Sequence, residues 1–285
     1  MALIVCPLCV REDDVQLVRT LPDGRKEARC EDCDFTFVYG SPVEAPKPAP
    51  TRKPAARKKT AAPVRATVVP LSVARRRFPG TGDVELVDAQ RAELLKQEFL
   101  ATVPRQEQPA VDRHWAKYRW AFSADGLDKV VVADLVSFVH DPTGGSTGET
   151  TTFDKAWLLL GELEGARRIR ATIQHLLRGA GELEDRLGQL LAGEQVTPMP
   201  GFGEAHLTKV LAVTDPDRFL AVMTYEDKKA VTQEVYGLEL PRVDESSLTA
   251  GRLAVWSNDL LVDLLGDGFE DLQHAAQFLR WARDR

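Results

Sequence analysis

The sequence predicts two unlike parts, a small β unit built around four cysteines and a mainly α C-terminal domain, joined by a disordered basic linker. Three observations predict it. All four cysteines fall within the first 33 of 285 residues. Between Ala45 and Gly82 there are ten Lys or Arg and no Asp or Glu. From about Asp88 onward, apolar residues recur at helical spacing. The expected boundaries are 1–40 for the β unit, 41–87 for the linker and 88–285 for the helical domain.

With 44% apolar and 28% charged residues, a chain of this length can bury a sizeable core. It contains no run of about eighteen apolar residues, so no membrane span is expected. "MALIVC" is too short for a signal-peptide core and has no basic segment before it, so a cytoplasmic location is expected. The net charge of -6 hides an asymmetry. Residues 1–44 carry five basic and nine acidic side chains and residues 83–285 carry 22 and 34, so the middle piece is the one obvious ligand for a polyanion.

The first element is C-x2-C, twenty residues, then C-x2-C, giving Cys6, Cys9, Cys30 and Cys33. Each C-x2-C can form a knuckle whose two thiolates converge on one ion, and a hairpin between the knuckles brings all four into a tetrahedron. Pro22-Asp23-Gly24 supplies the turn. The unit resembles the zinc-ribbon family in its knuckle, hairpin, second knuckle and closing aromatic strand, "CDFTFVYG". The resemblance implies one structural Zn2+ held by the four cysteines. About forty residues cannot build an adequate apolar core, so the metal would supply folding free energy. Rubredoxin-like iron uses the same thiolates, but that family usually has a glycine soon after the knuckle, where this chain has Val10 and Asp34. Zinc is therefore favoured over iron. A closed four-thiolate site implies no catalysis, and ribbons bind nucleic acid, bind proteins or only cap a fold.

The linker, rich in Pro, Ala, Lys and Arg, has almost no large apolar side chain through Pro70, too little to offset chain entropy. Arg52, Lys53, Arg57, Lys58, Lys59, Arg65 and the triplet Arg75, Arg76 and Arg77 make it a polycation that would add salt-sensitive, sequence-independent affinity for DNA or RNA. Aromatics are not interleaved, so base stacking is not suggested.

In the helical domain, Leu94, Leu95, Phe99 and Val103 predict a helix over 88–103, and Trp115, Tyr118 and Phe122 another over 112–126. The stretch 129–141 is ambiguous: its valines favour a strand, whereas Leu135, Phe138 and Val139 favour a helix. "PTGGSTGETTTF" reads as a mobile loop, with Thr152 or Asp154 capping the next helix. Residues 166–193 read as two helices broken near Gly179 and Gly181. Further helical patterns follow in 201–219, 225–238 and 256–268, and in the closing segment marked by Phe269, Leu272, Ala276 and Leu279.

Pro200-Gly201-Phe202-Gly203 opens "MPGFGEAHLTKVLAVTDPDRF". This segment resembles the helix-hairpin-helix element of DNA-repair glycosylases and related DNA-binding domains. "TDPDRFLAV" and the distant "AAQFLRWAR" also resemble specificity modules of McrB-type modification-dependent restriction systems. Glycines at Gly201 and Gly203 would let backbone N–H groups approach a phosphate, and Lys209, two turns on, could add charge. Glycosylases of that family need an aspartate, often with a lysine, at fixed spacing, and Asp227 and Lys228 give no convincing match. An active enzyme would instead bring an acid and a lysine together in a cleft near Gly201–Gly203.

Other constellations are weaker. The loop 142–153 lacks the Gly-Lys-Ser/Thr ending of a P-loop. His114, His140, His175, His206 and His274 are scattered, with His140-Asp141 the one pair suggesting a base. Arg167, Arg168 and Arg170 suggest either a phosphate contact or salt bridges to Glu162 and Glu164. The expectation is a non-enzymatic nucleic-acid-binding protein, with DNA favoured by the hairpin and RNA the alternative. An adaptor or specificity subunit of a DNA-processing or restriction complex, docking a protein partner through the ribbon, is the first alternative. A glycosylase-like enzyme is the second.

Overall fold

A computed structural model describes residues 15–21, 26–31, 36–39, 69–104, 109–194, 196–222, 224–244 and 247–285, with backbone alone for Cys30 and 36–39. The chain divides into two compact units, 1–64 and 65–285. In the first, β1 (Val15–Thr20) pairs antiparallel with β2 (Lys26–Cys30), which pairs antiparallel with β3 (Thr36–Tyr39), in the order β1-β2-β3. Val15 lies opposite Cys30 and Thr20 opposite Lys26, the pairing a hairpin around 22–24 requires. Cys6, Cys9, Cys33 and the turn itself lie outside the described residues, as do Arg52, Lys53, Arg57, Lys58, Lys59 and Arg65.

The second unit is helical. Its helices are α1 (Leu71–Ala74), α2 (Leu86–Thr102), α3 (Pro109–Ala121), α4 (Val132–His140), α5 (Thr151–Arg178), α6 (Leu183–Leu191), α7 (Glu204–Thr214), α8 (Tyr225–Tyr236), α9 (Ala250–Leu265) and α10 (Leu272–Arg283). The ambiguous stretch 129–141 is helical because Leu135, Phe138 and Val139 reach one core together, each 1% exposed. α7 is buried at every position from His206 to Val213 and runs through the centre. Small residues bring α6 and α9 together: a Cβ on Gly251 would fall 2.6 Å from the Gly188 Cα. α5 ends at Arg178 and α6 begins at Leu183, as the Gly179 and Gly181 signals imply. Within α5, Gly161 is non-helical, with φ +76°. Neither Thr152 nor Asp154 caps α5; Thr150 occupies that place, and Asp154 lies in the first turn.

One boundary moves. The linker was expected to run to residue 87, but residues 69–87 pack on the helical unit. The rings of Phe78 and Trp256 lie 4.8 Å apart, and the Arg252 guanidinium donates to the Val69 carbonyl. Arg75 Nη2 donates to Glu184 Oε1 at 2.8 Å, and Arg77 reaches the Ser247 hydroxyl and the Asp244 carboxylate. Glu184 is 5% exposed, so Arg75 neutralises a buried charge. Arg75 and Arg77, expected as phosphate ligands, thus have acidic partners in the fold, although both side chains stay more than half exposed. Arg76 is exposed.

Candidate nucleic-acid interface

The Pro-Gly-Phe-Gly turn forms as expected and α7 starts immediately after it. Phe202 N donates to Met199 O at 3.0 Å, and Gly203 is the residue flanking α7, exposed and with open space where a Cβ would stand. Gly201 has φ +79°, and a Cβ there would fall 2.6 Å from the Cα of Phe153, at the start of α5. Its glycine therefore serves helix packing. The preceding helix, α6, ends at Leu191, so residues 192–203 form a longer connection than a tight helical hairpin. Glu204, the first residue of α7, places a carboxyl at the end an anion would approach. Burial raises its pKa, although its Oε1 accepts the Tyr225 amide at 2.6 Å.

Lys209 departs further from expectation. It is 0% exposed, and its ammonium donates to the carbonyls of Phe138, at 3.1 Å, and Asp141. Those carbonyls end α4 and lack helical partners, so a buried cation supplies the donors and complements the helix dipole. Burial lowers its pKa to about 8, opposed by the Asp141 charge. A side chain so enclosed cannot reach a phosphate, which corrects the role expected of it.

Asp141 joins this anchor to the glycine-rich loop. Its Oδ1 accepts the Thr143 amide at 2.9 Å and its Oδ2 lies 3.0 Å from His114 Nδ1. Burial opposes ionisation of Asp141, but the Thr143 and His114 contacts outweigh it and hold the carboxyl below its ordinary value. His114 is kept neutral-leaning by burial, against the pull of Asp141, so Nδ1 donates to the carboxylate. The expected pair His140-Asp141 does not form: His140 Nε2 lies 3.1 Å from Asp154 instead. Beyond Asp141, Gly145 N donates to Pro142 O, Thr147 Oγ1 to Val139 O and Gly148 N to Ser146 Oγ. Gly144 and Gly145 have φ +75° and +133°, and a Cβ on Gly144 would fall 2.6 Å from the Trp115 indole nitrogen. The loop therefore contains hydrogen-bonded turns at Asp141–Thr143, Pro142–Gly145 and Ser146–Gly148.

Across from it lies α10. Gln273, Gln277 and Arg280, at spacing i, i+4 and i+7, share one stripe and line a cavity of about 420 Å³ with residues 142–146. This stripe was missed in the sequence, although it is the complement of the apolar face at Ala276 and Leu279.

The other candidates have structural partners. Asp227 closes a capping box with Thr224, its amide donating to Thr224 Oγ1 at 3.1 Å. Lys228 is 1% exposed and donates to Ala254 O at 2.7 Å. The acid and lysine near Gly203 are thus Glu204 and Lys228, with the lysine inside the core. Arg167 and Arg168 bond Glu164, and Arg170 bonds the carbonyls of Leu127 and Val130. Among the described residues no three His, Cys, Asp or Glu side chains are grouped to hold a metal, and no helix is long and apolar enough to cross a membrane. The chain matches no family model, no curated protein and no solved structure.

Proposed function

We propose that this protein binds nucleic acid and performs no chemistry on it, with DNA the favoured partner and RNA the alternative. The observation that carries the reading is the stretch from Ala45 to Gly82, ten basic residues without one acid, between two acidic parts of the same chain. Solubility alone would not require complete exclusion of acids over this length. With Arg75 and Arg77 engaged by Glu184 and Asp244, eight cations are left for phosphate: Lys47, Arg52, Lys53, Arg57, Lys58, Lys59, Arg65 and Arg76. Gly203 is exposed at the start of α7, but the Glu204 carboxyl stands at that same helix end, so the reading rests on the basic segment and not on the hairpin. In this reading the N-terminal unit carries one Zn2+ on Cys6, Cys9, Cys30 and Cys33 and offers a surface for a protein partner.

Fluorescence anisotropy on labelled single-stranded DNA, duplex DNA and RNA, at low salt, tests this directly. The intact chain is expected to bind at least one of the three. A chain lacking residues 45–64 is expected to lose most of that affinity while its helical unit melts unchanged. Absence of binding to all three would end the proposal.

A further inference from the structure

The cavity between residues 142–146 and α10 has features of a ligand site that the basic segment does not explain. Its volume, about 420 Å³, lies within the range of small-molecule sites. Arg280 stands at its wall with no carboxylate partner among the described residues. Its one hydrogen bond is a long one, 3.4 Å, to the Ala221 carbonyl, and its charged neighbour is another cation, Arg283. Desolvation and Arg283 together lower its pKa. Arg280 is exposed, so its guanidinium is open to an incoming ligand, and its planar donors, engaged by no carboxylate among the described residues, match a phosphate in two-point contact.

The rest of the wall suits more than a bare anion. Gln273 and Gln277 each present a donor and an acceptor on the same stripe of α10, the pairing that recognises the edge of a nucleobase. Opposite them, Gly145 carries no side chain at its positive φ, so that a flat or charged group can approach its backbone closely, whereas the bare side of Gly144 is taken up by Trp115. Ala110, Val111 and Ala221 add apolar surface. We infer that this cavity takes a nucleoside monophosphate unit, its phosphate on Arg280 and its base against Gln273 and Gln277. The unit could be a free nucleotide or a residue of a single strand; in the second form the inference rests on the nucleic-acid reading above.

Calorimetric titration of the full chain with each of the four nucleoside 5′-monophosphates, with inorganic phosphate and with a short single strand tests it. At least one monophosphate is expected to bind with a Kd of about 1 mM or tighter, and more tightly than phosphate. Arg280→Gln should weaken it by about tenfold or more, as loss of a charge-assisted contact does. Gln277→Leu should change the preference among the four bases. Deleting 45–64 should leave monophosphate binding unchanged, so the cavity and the basic segment fail or succeed separately. In that deleted chain, tighter binding of the short strand than of any monophosphate identifies a strand as the source, and equal or weaker binding identifies the free nucleotide. The inference is overturned if no monophosphate binds, if phosphate alone binds equally well, or if Arg280→Gln, with its melting unchanged, binds as the parent does.

Discussion

The Lys209 ammonium, inside the core of the helical unit, donates to the Phe138 carbonyl at 3.1 Å and to that of Asp141, closing the C-terminus of α4 from a helix about seventy residues away in sequence. Replacing it tests what it does. Lys209→Met keeps the volume but leaves two buried carbonyls without their donor, and should destabilise the fold by about 1–3 kcal/mol. Urea unfolding at pH 7 measures this; an unchanged midpoint would contradict the anchoring role.

The same lysine sets an alkaline pH dependence. Its folded pKa, about 8, lies below the ordinary 10.5, and Lys228 behaves alike, mainly through burial. Between pH 8 and 10 the unfolded chain holds protons that the fold has released, so stability should rise with pH. Above pH 10 the buried hydroxyls of Tyr118, Tyr225 and Tyr236, raised by desolvation, oppose it. Melting temperatures across pH 8 to 10 should climb in the parent and climb less in Lys209→Met.

On the acid side, His206 is held at about 4, by burial first and then by Lys209 and His140. It stacks on Phe202 with ring centres 5.1 Å apart, and its Nε2 has no hydrogen-bond partner among the described residues. Between pH 6.5 and 4 the unfolded chain takes up a proton that the fold refuses, so stability falls as pH falls, by up to about 3 kcal/mol from this residue. His206→Leu should flatten that fall while changing stability at pH 7 by less than about 1 kcal/mol. Denaturant titrations at the two pH values decide it.

Gly201→Ala should destabilise the helical unit by about 2–4 kcal/mol, because the residue adopts a positive φ and a methyl there would meet the Phe153 backbone. Gly203→Ala, with open space around it, should change stability little. Equal effects would contradict the packing role given to Gly201.

Much of this was legible in the sequence, and the failures have physical reasons. Helices α3, α8 and α10 follow from apolar spacing, because each buries one face; α2 also forms, but of the residues that predicted it Phe99 is buried while Leu94 is 67% exposed. The strand-like valines of 129–141 gave way to burial of Leu135, Phe138 and Val139 in one core. Arg75 and Arg77 read as part of a polycation because their acids, Glu184 and Asp244, lie more than a hundred residues away. Lys209 read as a surface charge for the same reason: its partners are carbonyls, which leave no mark in sequence. The glycine loop was visible, but not that α10 would set Gln273, Gln277 and Arg280 across from it.

The salt dependence of DNA binding by the intact chain tests the central claim most directly. If the eight cations of Ala45–Gly82 other than Arg75 and Arg77 contact phosphate, log K against log salt should fall with a slope of about -4 to -7, and the slope should shrink to about -1 to -2 without residues 45–64. A slope near zero, or one unchanged by that deletion, would contradict it.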